Sequence, residues 1–131
     1  MPEHQNIEYK QSWHSLPRLV GEDHLKTICS FANSQGGTLI IGKDDKGKTI
    51  GITDYKKLMD DLPNKIKNHL GITASVNLKT NKGNYFIEIT VPSYSVAISL
   101  RGRYYIRTGS TTSELTGAAL NDFLPAWRQT G

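Results

Sequence analysis

The chain has 131 residues, of which 37% are hydrophobic and 21% are charged, which excludes a disordered or fibrous protein and favours one domain over residues 1–131. Its 16 Lys and Arg residues against 12 Asp and Glu residues give a net charge of +4. This excess is compatible with a polyanionic partner but is too small to establish one.

Cysteine usage and hydropathy indicate an intracellular protein. Cys29 is the single cysteine, so one chain forms neither a disulfide framework nor a multi-cysteine zinc site. Its apolar helical surroundings predict a small buried hydrophobic residue. The sequence shows no membrane-spanning run and no signal-peptide core, so we expect a cytoplasmic location and no membrane partner.

The N-terminal part predicts a strand and then a helix. From Asn6 to Lys10 apolar and charged residues alternate, as in a strand with one buried face. Acidic residues at positions 22 and 23 favour a helix start, because they stabilise its positive end. The helix is expected to end near Asn33. Its apolar face has spacings of three and four and consists of Leu25, Ile28, Cys29 and Ala32.

A central strand and a second helix follow. Thr38 to Ile41 is almost wholly apolar, which predicts a strand covered on both faces at the centre of the sheet. The turn-forming residues 44–48 favour a hairpin with the segment from Thr49 to Ile52. A helical stripe then predicts a helix from about Tyr55 to Leu70, closed by Gly71.

The second half is predicted to be mostly strands. A hairpin is expected between residues 74–80 and 85–91, and another between 96–100 and 104–107. Thr116 is a candidate cap for a last helix, whose apolar stripe consists of Leu120, Phe123, Leu124 and Trp127. These elements predict an α+β fold with a mainly antiparallel sheet packed by two to three helices.

A glycine corner joins the first helix to the central strand. Gly36 and Gly37 suit a tight corner because they have no Cβ atom. The same corner can also present backbone N–H groups to an anion, so the sequence leaves a packing role and a binding role open.

Three separated motifs resemble the Schlafen-AlbA family, also called AlbA-2. They are Glu8-Tyr9-Lys10, the segment TICSFANSQGGTLIIGKDDKGKTIG from Thr27 to Gly51, and RGRYYIRTGSTTSEL from Arg101 to Leu115. They occur in the order and approximate spacing of the family and cover nearly the whole chain.

The resemblance implies a DNA- or RNA-binding α+β module at the N-terminus of larger transcriptional regulators or helicase-related proteins. In Schlafen proteins two such lobes form a U-shaped core, which cleaves tRNA and rRNA in some members. Because this chain carries one lobe, we expect it to form a homodimer.

A basic and aromatic strand is the first candidate contact with nucleic acid. Strand alternation places Arg103, Tyr105 and Arg107 on one face and Tyr104 and Ile106 on the other. Guanidinium groups bind phosphates, and an exposed Tyr105 would stack on an unpaired base, while the opposite face packs on the core. The alternative is a solvated face whose arginines pair with local acids.

Other polar residues are candidates to extend this surface. The hydroxyl groups of Ser110 and Thr111 precede the last helix, where they suit either phosphate binding or helix capping. The lysines can also be ordinary surface charge. The expected nucleic-acid-binding residues are thus Lys10, Lys43, Arg101, Arg103, Tyr105, Arg107, Ser110 and Thr111, with no cofactor.

Two alternative functions remain open. By resemblance to the Schlafen nuclease signature, Glu3, Glu8 and Asp44 would hold Mg²⁺ or Mn²⁺ and cleave RNA. Against this, Glu3 would be a solvated residue near a terminus, and Glu8 would pair with Lys10 or an arginine. The remaining alternative is a dimerisation or protein-interaction domain in which the charges are incidental.

Overall fold

The computed structural model describes residues 6–13 and 22–124. This part of the chain contains three helices and six strands. In chain order they are β1 (Ile7–Lys10), α1 (Glu22–Ala32), β2 (Gly37–Ile41), α2 (Tyr55–Leu70), β3 (Ser75–Asn81), β4 (Asn84–Val91), β5 (Tyr104–Thr108), β6 (Thr111–Leu115) and α3 (Gly117–Phe123). No helix among them is long and apolar enough to cross a membrane.

The strands form a four-stranded sheet in the order β1-β2-β4-β3 and a separate β5–β6 hairpin. β1 is parallel to β2, and the other neighbouring strands are antiparallel. A parallel pair needs a crossover connection, and α1 lies within the one between β1 and β2. The predicted α+β fold with a mainly antiparallel sheet is confirmed.

The main core lies between one face of the sheet and the helices α1 and α2. Leu39 and Ile41 of β2 are fully buried on this helix-covered face. The opposite face carries a smaller buried cluster of Tyr9, Ile40 and Phe86. β2 is therefore an interior strand covered on both faces, as its apolar sequence predicted.

The glycine corner between α1 and β2 is tightly packed. Gly36 has φ +78°, and a Cβ atom there would stand 2.7 Å from the carbonyl oxygen of Val91. A Cβ atom on Gly37 would stand 2.4 Å from the ring of Phe31. The packing role of the two glycines is therefore confirmed.

The predicted hairpin between β2 and residues 49–52 is wrong. Both edges of β2 are already paired, with β1 on one side and β4 on the other. Only an isolated bridge between Lys43 and Thr49 remains. The segment instead forms a loop whose Ile50 and Gly51 N–H groups donate to the carbonyl oxygen of Gly42, at 2.9 and 3.0 Å.

The predicted hairpin between residues 96–100 and 104–107 is reduced to its turn. Leu100 and Arg103 form a single antiparallel bridge with N–H to carbonyl hydrogen bonds of 2.8 and 3.0 Å, and β5 pairs instead with β6. Asn33 explains why residues 96–100 do not form the expected strand. Its side chain accepts a hydrogen bond from the Ile98 N–H at 2.8 Å and donates to the Ile98 carbonyl oxygen at 2.8 Å. The middle of this segment is therefore tied to the end of α1. The hairpin predicted between 74–80 and 85–91 is confirmed as β3–β4.

The last helix, α3, begins after Thr116 as predicted, but the Thr116 side chain makes no capping hydrogen bond to any described residue. The ring of Phe123 lies 6.1 Å from that of Tyr104, measured between centroids. Trp127, the last member of the predicted stripe, lies outside the described residues.

Candidate functional site

An open pocket of about 460 Å³ lies where β1, α1 and the β5–β6 hairpin meet. We call it the Arg107 pocket. It unites residues from the three motifs that are far apart in the sequence. Its lining consists of Glu8, Lys10, Asp23, Lys26, Thr27, Tyr105, Arg107, Ser110, Thr111, Thr112 and Glu114.

Arg107 forms the floor of this pocket, with a side chain only 1% exposed. Its Nη2 atom lies 3.2 Å from Glu8 Oε1 and donates to the Ser110 carbonyl oxygen at 3.0 Å. Its Nη1 atom donates to the Thr112 hydroxyl at 3.2 Å. The guanidinium carbon lies 4.8 Å from the centre of the Phe31 ring. One buried cation thus joins β1, α1 and both ends of the hairpin turn.

Glu8 is placed in the pocket by the alternation of β1. Tyr9 points into the small cluster on the opposite face, so Glu8 and Lys10 point to the helix-covered face. Glu8 Oε2 lies 3.3 Å from the Lys10 amine, while its other oxygen pairs with Arg107. The expected pairing of Glu8 with Lys10 or an arginine is confirmed for both partners.

Hydroxyl groups of α1 support the hairpin. The Thr112 hydroxyl lies 3.4 Å from the Thr27 hydroxyl and 3.3 Å from that of Ser30. Ser30 and Thr27 are both buried on α1. Because buried hydroxyls need hydrogen-bond partners, this network fixes the position of the β6 strand against α1.

The structure corrects the orientation expected for β5. Arg103, Tyr105 and Arg107 share a face, as predicted, but Tyr105 and Arg107 on this face are buried, and only Arg103 is open to solvent. Tyr105 is 6% exposed and belongs to the main core, so the expected exposed stacking ring is absent. Arg107 is neutralised by Glu8. These two residues therefore cannot meet a polyanion in the way that the alternation suggested.

Three other predicted cations lie outside the pocket. Arg103 has a side chain 66% exposed and pairs with Glu114 at 3.5 Å. Arg101 is exposed, in the turn before β5, with φ +53°. The Lys43 amine lies 4.4 Å from the centre of the Phe86 ring, so it covers the small cluster on the other face of the sheet.

Ser110 and Thr111 form the exposed tip of the hairpin and not a loop that caps a helix. The turn between β5 and β6 contains Gly109 with φ +62°. Both hydroxyl residues are exposed, and both line the pocket. Thr111 donates its hydroxyl proton to the Thr108 carbonyl oxygen at 2.8 Å. Their place at the mouth of the pocket keeps them as candidate ligands for an anion.

The proposed metal-binding carboxylates are not brought together within the described residues. Glu3 lies outside them, and Asp44 does not line the Arg107 pocket. Asp44 Oδ1 accepts hydrogen bonds from the N–H groups of Lys46 and Lys48, at 3.0 and 2.9 Å, and thereby stabilises its own turn. Across residues 6–13 and 22–124, no three His, Cys, Asp or Glu side chains form a candidate metal site.

Sequence reasoning missed several residues of the pocket. Asp23, Lys26 and Thr27 line it from α1, and Glu114 lines it from β6. A signal for the helical residues was present, since positions 23, 26, 27 and 30 form a polar stripe beside the apolar face of α1. A local signal for the β5–β6 hairpin was also present, because only Gly109 and Ser110 separate the two strands and a Gly-Ser pair favours a tight turn.

Two buried titratable groups near the pocket are neutral at pH 7. Desolvation lowers the pKa of His24 below 6.5, and its Nε2 atom lies 2.5 Å from the Ser12 carbonyl oxygen. Burial raises the pKa of Cys29 to about 11, so its thiol is not a ready nucleophile. The prediction that Cys29 is a buried residue is confirmed.

Comparison with known proteins matches the sequence to a family model and the fold to solved structures. A family model described as Schlafen, AlbA_2 matches residues 3–116. The DIP2311 protein from Corynebacterium diphtheriae is 22% identical, with a TM-score of 0.65 over 85% of this chain. This chain spans only 22% of the length of DIP2311, and at that identity the likeness concerns the fold alone.

A second solved structure resembles the chain over most of both lengths. It is the N-terminal domain of a RecG-related protein from Nitrosomonas europaea, which is 26% identical with a TM-score of 0.55. The match covers 86% of this chain and 84% of that domain. No curated protein gives a significant match.

Proposed function

The chain belongs to the Schlafen AlbA_2 family, as its three motifs predicted, and on this premise we propose that it binds DNA or RNA by holding phosphate at the mouth of the Arg107 pocket. The RecG-related neighbour supports this role, since its description relates the whole protein to an ATP-dependent DNA helicase.

The observation that carries the proposal is the position of Lys26. It lines the same pocket as Lys10 and the exposed hydroxyls of Ser110 and Thr111. No described carboxylate lies within ion-pair distance of its amine, which instead lies 5.8 Å from the centre of the Tyr105 ring. A phosphate is the natural counter-ion for such a cation beside hydroxyl donors.

Charge balance determines which residues contact the phosphate. Three cations and three carboxylates line the pocket, so the pocket as a whole is not a basic patch. Glu8 pairs with Arg107 on the floor and also lies 3.3 Å from Lys10, and Glu114 pairs with Arg103. The main phosphate ligand of the proposal is therefore Lys26, and Lys10, which shares Glu8 with Arg107, is the second. The exposed Arg101 and Arg103 extend this surface along the hairpin.

No catalytic step is part of this role. Both carboxylate oxygens of Glu8 are already within ion-pair distance of cations, one of Lys10 and one of Arg107. Lys43, which the sequence predicted as a nucleic-acid-binding residue, is not part of this proposal, because its amine covers the Phe86 ring on the opposite face of the sheet.

Charge reversal at the mouth of the pocket tests the proposal. We expect Lys10→Glu combined with Lys26→Glu to weaken the binding of a fluorescent oligonucleotide at least about tenfold at low salt, because each lysine neutralises phosphate charge. Fluorescence anisotropy measures the affinity, and circular dichroism confirms the fold.

The matched control reverses two lysines on α2. Lys65→Glu with Lys67→Glu changes the net charge by the same amount at residues that do not line the pocket. Equal losses in both double variants would show general electrostatics and would contradict a localised site. The absence of binding to any single- or double-stranded DNA or RNA would favour the protein-interaction alternative.

The proposal also includes the place of this domain in a larger protein and its oligomeric state. We place this domain at the N-terminus of a larger cytoplasmic regulator, acting as a homodimer so that two copies form a groove. The family resemblance supports the dimer, since two lobes form the core of Schlafen proteins. Static light scattering should give twice the chain mass at high concentration, and a strict monomer would remove the dimer from the proposal.

A further inference from the structure

A stacked tyrosine pair lies at the end of the sheet, outside the Arg107 pocket. The rings of Tyr55 and Tyr85 have centroids 3.9 Å apart and planes inclined by 19°. Tyr55 begins α2, and Tyr85 is the second residue of β4. Both rings line an open pocket of about 340 Å³ beside Ile50, which is 42% exposed.

The pair is held rigidly by the loop before α2. The Ile52 N–H donates to the Tyr85 carbonyl oxygen at 3.0 Å, and Gly51 has φ +86° and packs closely on Asn84. A hydrogen bond with the Tyr85 side chain raises the pKa of Tyr55, so its phenol is neutral at pH 7. The two stacked rings offer a fixed apolar surface.

From this geometry we propose that the tyrosine pair is a stacking platform for an unpaired base of a single-stranded nucleic acid. This inference rests on the proposed function, since it assumes that the phosphates of the same strand bind at the Arg107 pocket. Bases stack on aromatic side chains with little dependence on sequence, and a base within a duplex does not expose its face.

The relative position of the two sites supports this proposal. Tyr9 and Phe86 lie in the small cluster on one face of the sheet. Neighbouring residues of a strand point to opposite faces, so Lys10 and Tyr85 both point to the helix-covered face. The Gly42 N–H donates to the Lys10 carbonyl oxygen at 2.7 Å, at the end of β2. That same end adjoins the start of β4, because Ile41 pairs with Ile87.

The separation suits a short stretch of nucleic acid strand. β1 and β4 are the two neighbours of β2, so they lie two strand spacings apart, about 10 Å. Lys56 and Lys82 are exposed and are the sequence neighbours of Tyr55 and Gly83, which line the pocket of the tyrosine pair, and the exposed Asp54 precedes Tyr55. One strand can therefore reach from the lysines of the Arg107 pocket to the rings.

The test compares two probes that carry the same number of phosphates, oligothymidylate and an abasic oligomer. The wild-type protein should bind oligothymidylate about tenfold more tightly, because only this probe offers bases for stacking. Tyr55→Leu should remove most of this preference, whereas Tyr55→Phe, which retains the ring, should preserve it. Fluorescence anisotropy gives each affinity.

The outcomes separate the two proposals. Equal binding of both probes by the wild-type protein would overturn the stacking platform but leave phosphate binding intact, and binding of neither probe would overturn both. A full preference for bases in a folded Tyr55→Leu variant would place the base elsewhere. If that variant does not fold, photocrosslinking of an iodouridine probe to the wild-type protein decides, because it should mark Tyr55 or Tyr85, and crosslinks elsewhere alone would overturn the platform.

Discussion

Arg107 shows how much of one residue's role a local pattern can predict. The alternation of β5 correctly placed it on the same face as Tyr105. Its burial depended on Glu8, which is 99 positions away in the sequence, and on the Phe31 ring in α1. A buried guanidinium is stable only when it is neutralised and hydrogen-bonded, and such partners are visible only in the folded chain.

We predict that Arg107→Gln lowers the free energy of unfolding by about 3 kcal/mol, because it leaves the Glu8 carboxylate without its buried partner. Urea denaturation followed by circular dichroism measures this loss. The control is Arg103→Gln, whose ion pair with Glu114 is exposed and should contribute less than about 1 kcal/mol. Equal effects of the two substitutions would show that Arg107 does not organise the pocket.

Helices were predictable as whole elements, whereas among the strand pairs only β3–β4 was predicted correctly. The apolar stripe and Gly71 gave α2 its observed bounds, because a helix satisfies its backbone hydrogen bonds within itself. A strand needs a second segment, and nearness in sequence favoured the wrong one for β2. For β5 the prediction favoured the preceding segment, although β6 follows after only two residues and is the partner. The Asn33 side chain held residues 96–100 away from strand pairing, and no hydrophobic pattern signals such a contact.

The corner between α1 and β2 is the junction that local chemistry predicted best. We expect Gly36→Ala to lower the free energy of unfolding by more than about 3 kcal/mol, since it adds a backbone clash to an unfavourable φ. Gly83→Ala is the matched control, because its φ is +83° but its Cβ atom would meet nothing within 4 Å. That substitution should cost only about 1–2 kcal/mol. Chemical denaturation compares the two, and equal costs would exclude the predicted clash with Val91.

At the scale of the whole molecule, three distant segments assemble one pocket. β1 contributes Glu8 and Lys10, α1 contributes Lys26, and the hairpin contributes its hydroxyl tip. The sequence identified the first and last of these segments through the motifs that resemble the family. It did not predict that Tyr105 and Arg107 would be buried, because the packing of α1 on β5 is a tertiary contact.

The salt dependence of oligonucleotide binding tests the central claim most directly. For a single-stranded probe, the logarithm of the association constant should fall linearly with the logarithm of salt concentration, by about 0.7 for each neutralised phosphate. We predict that Lys10→Glu with Lys26→Glu makes this slope shallower by about 1 or more, while Lys65→Glu with Lys67→Glu leaves it unchanged. A wild-type slope near zero, or the same slope in wild type and the pocket variant, would contradict phosphate binding at the Arg107 pocket.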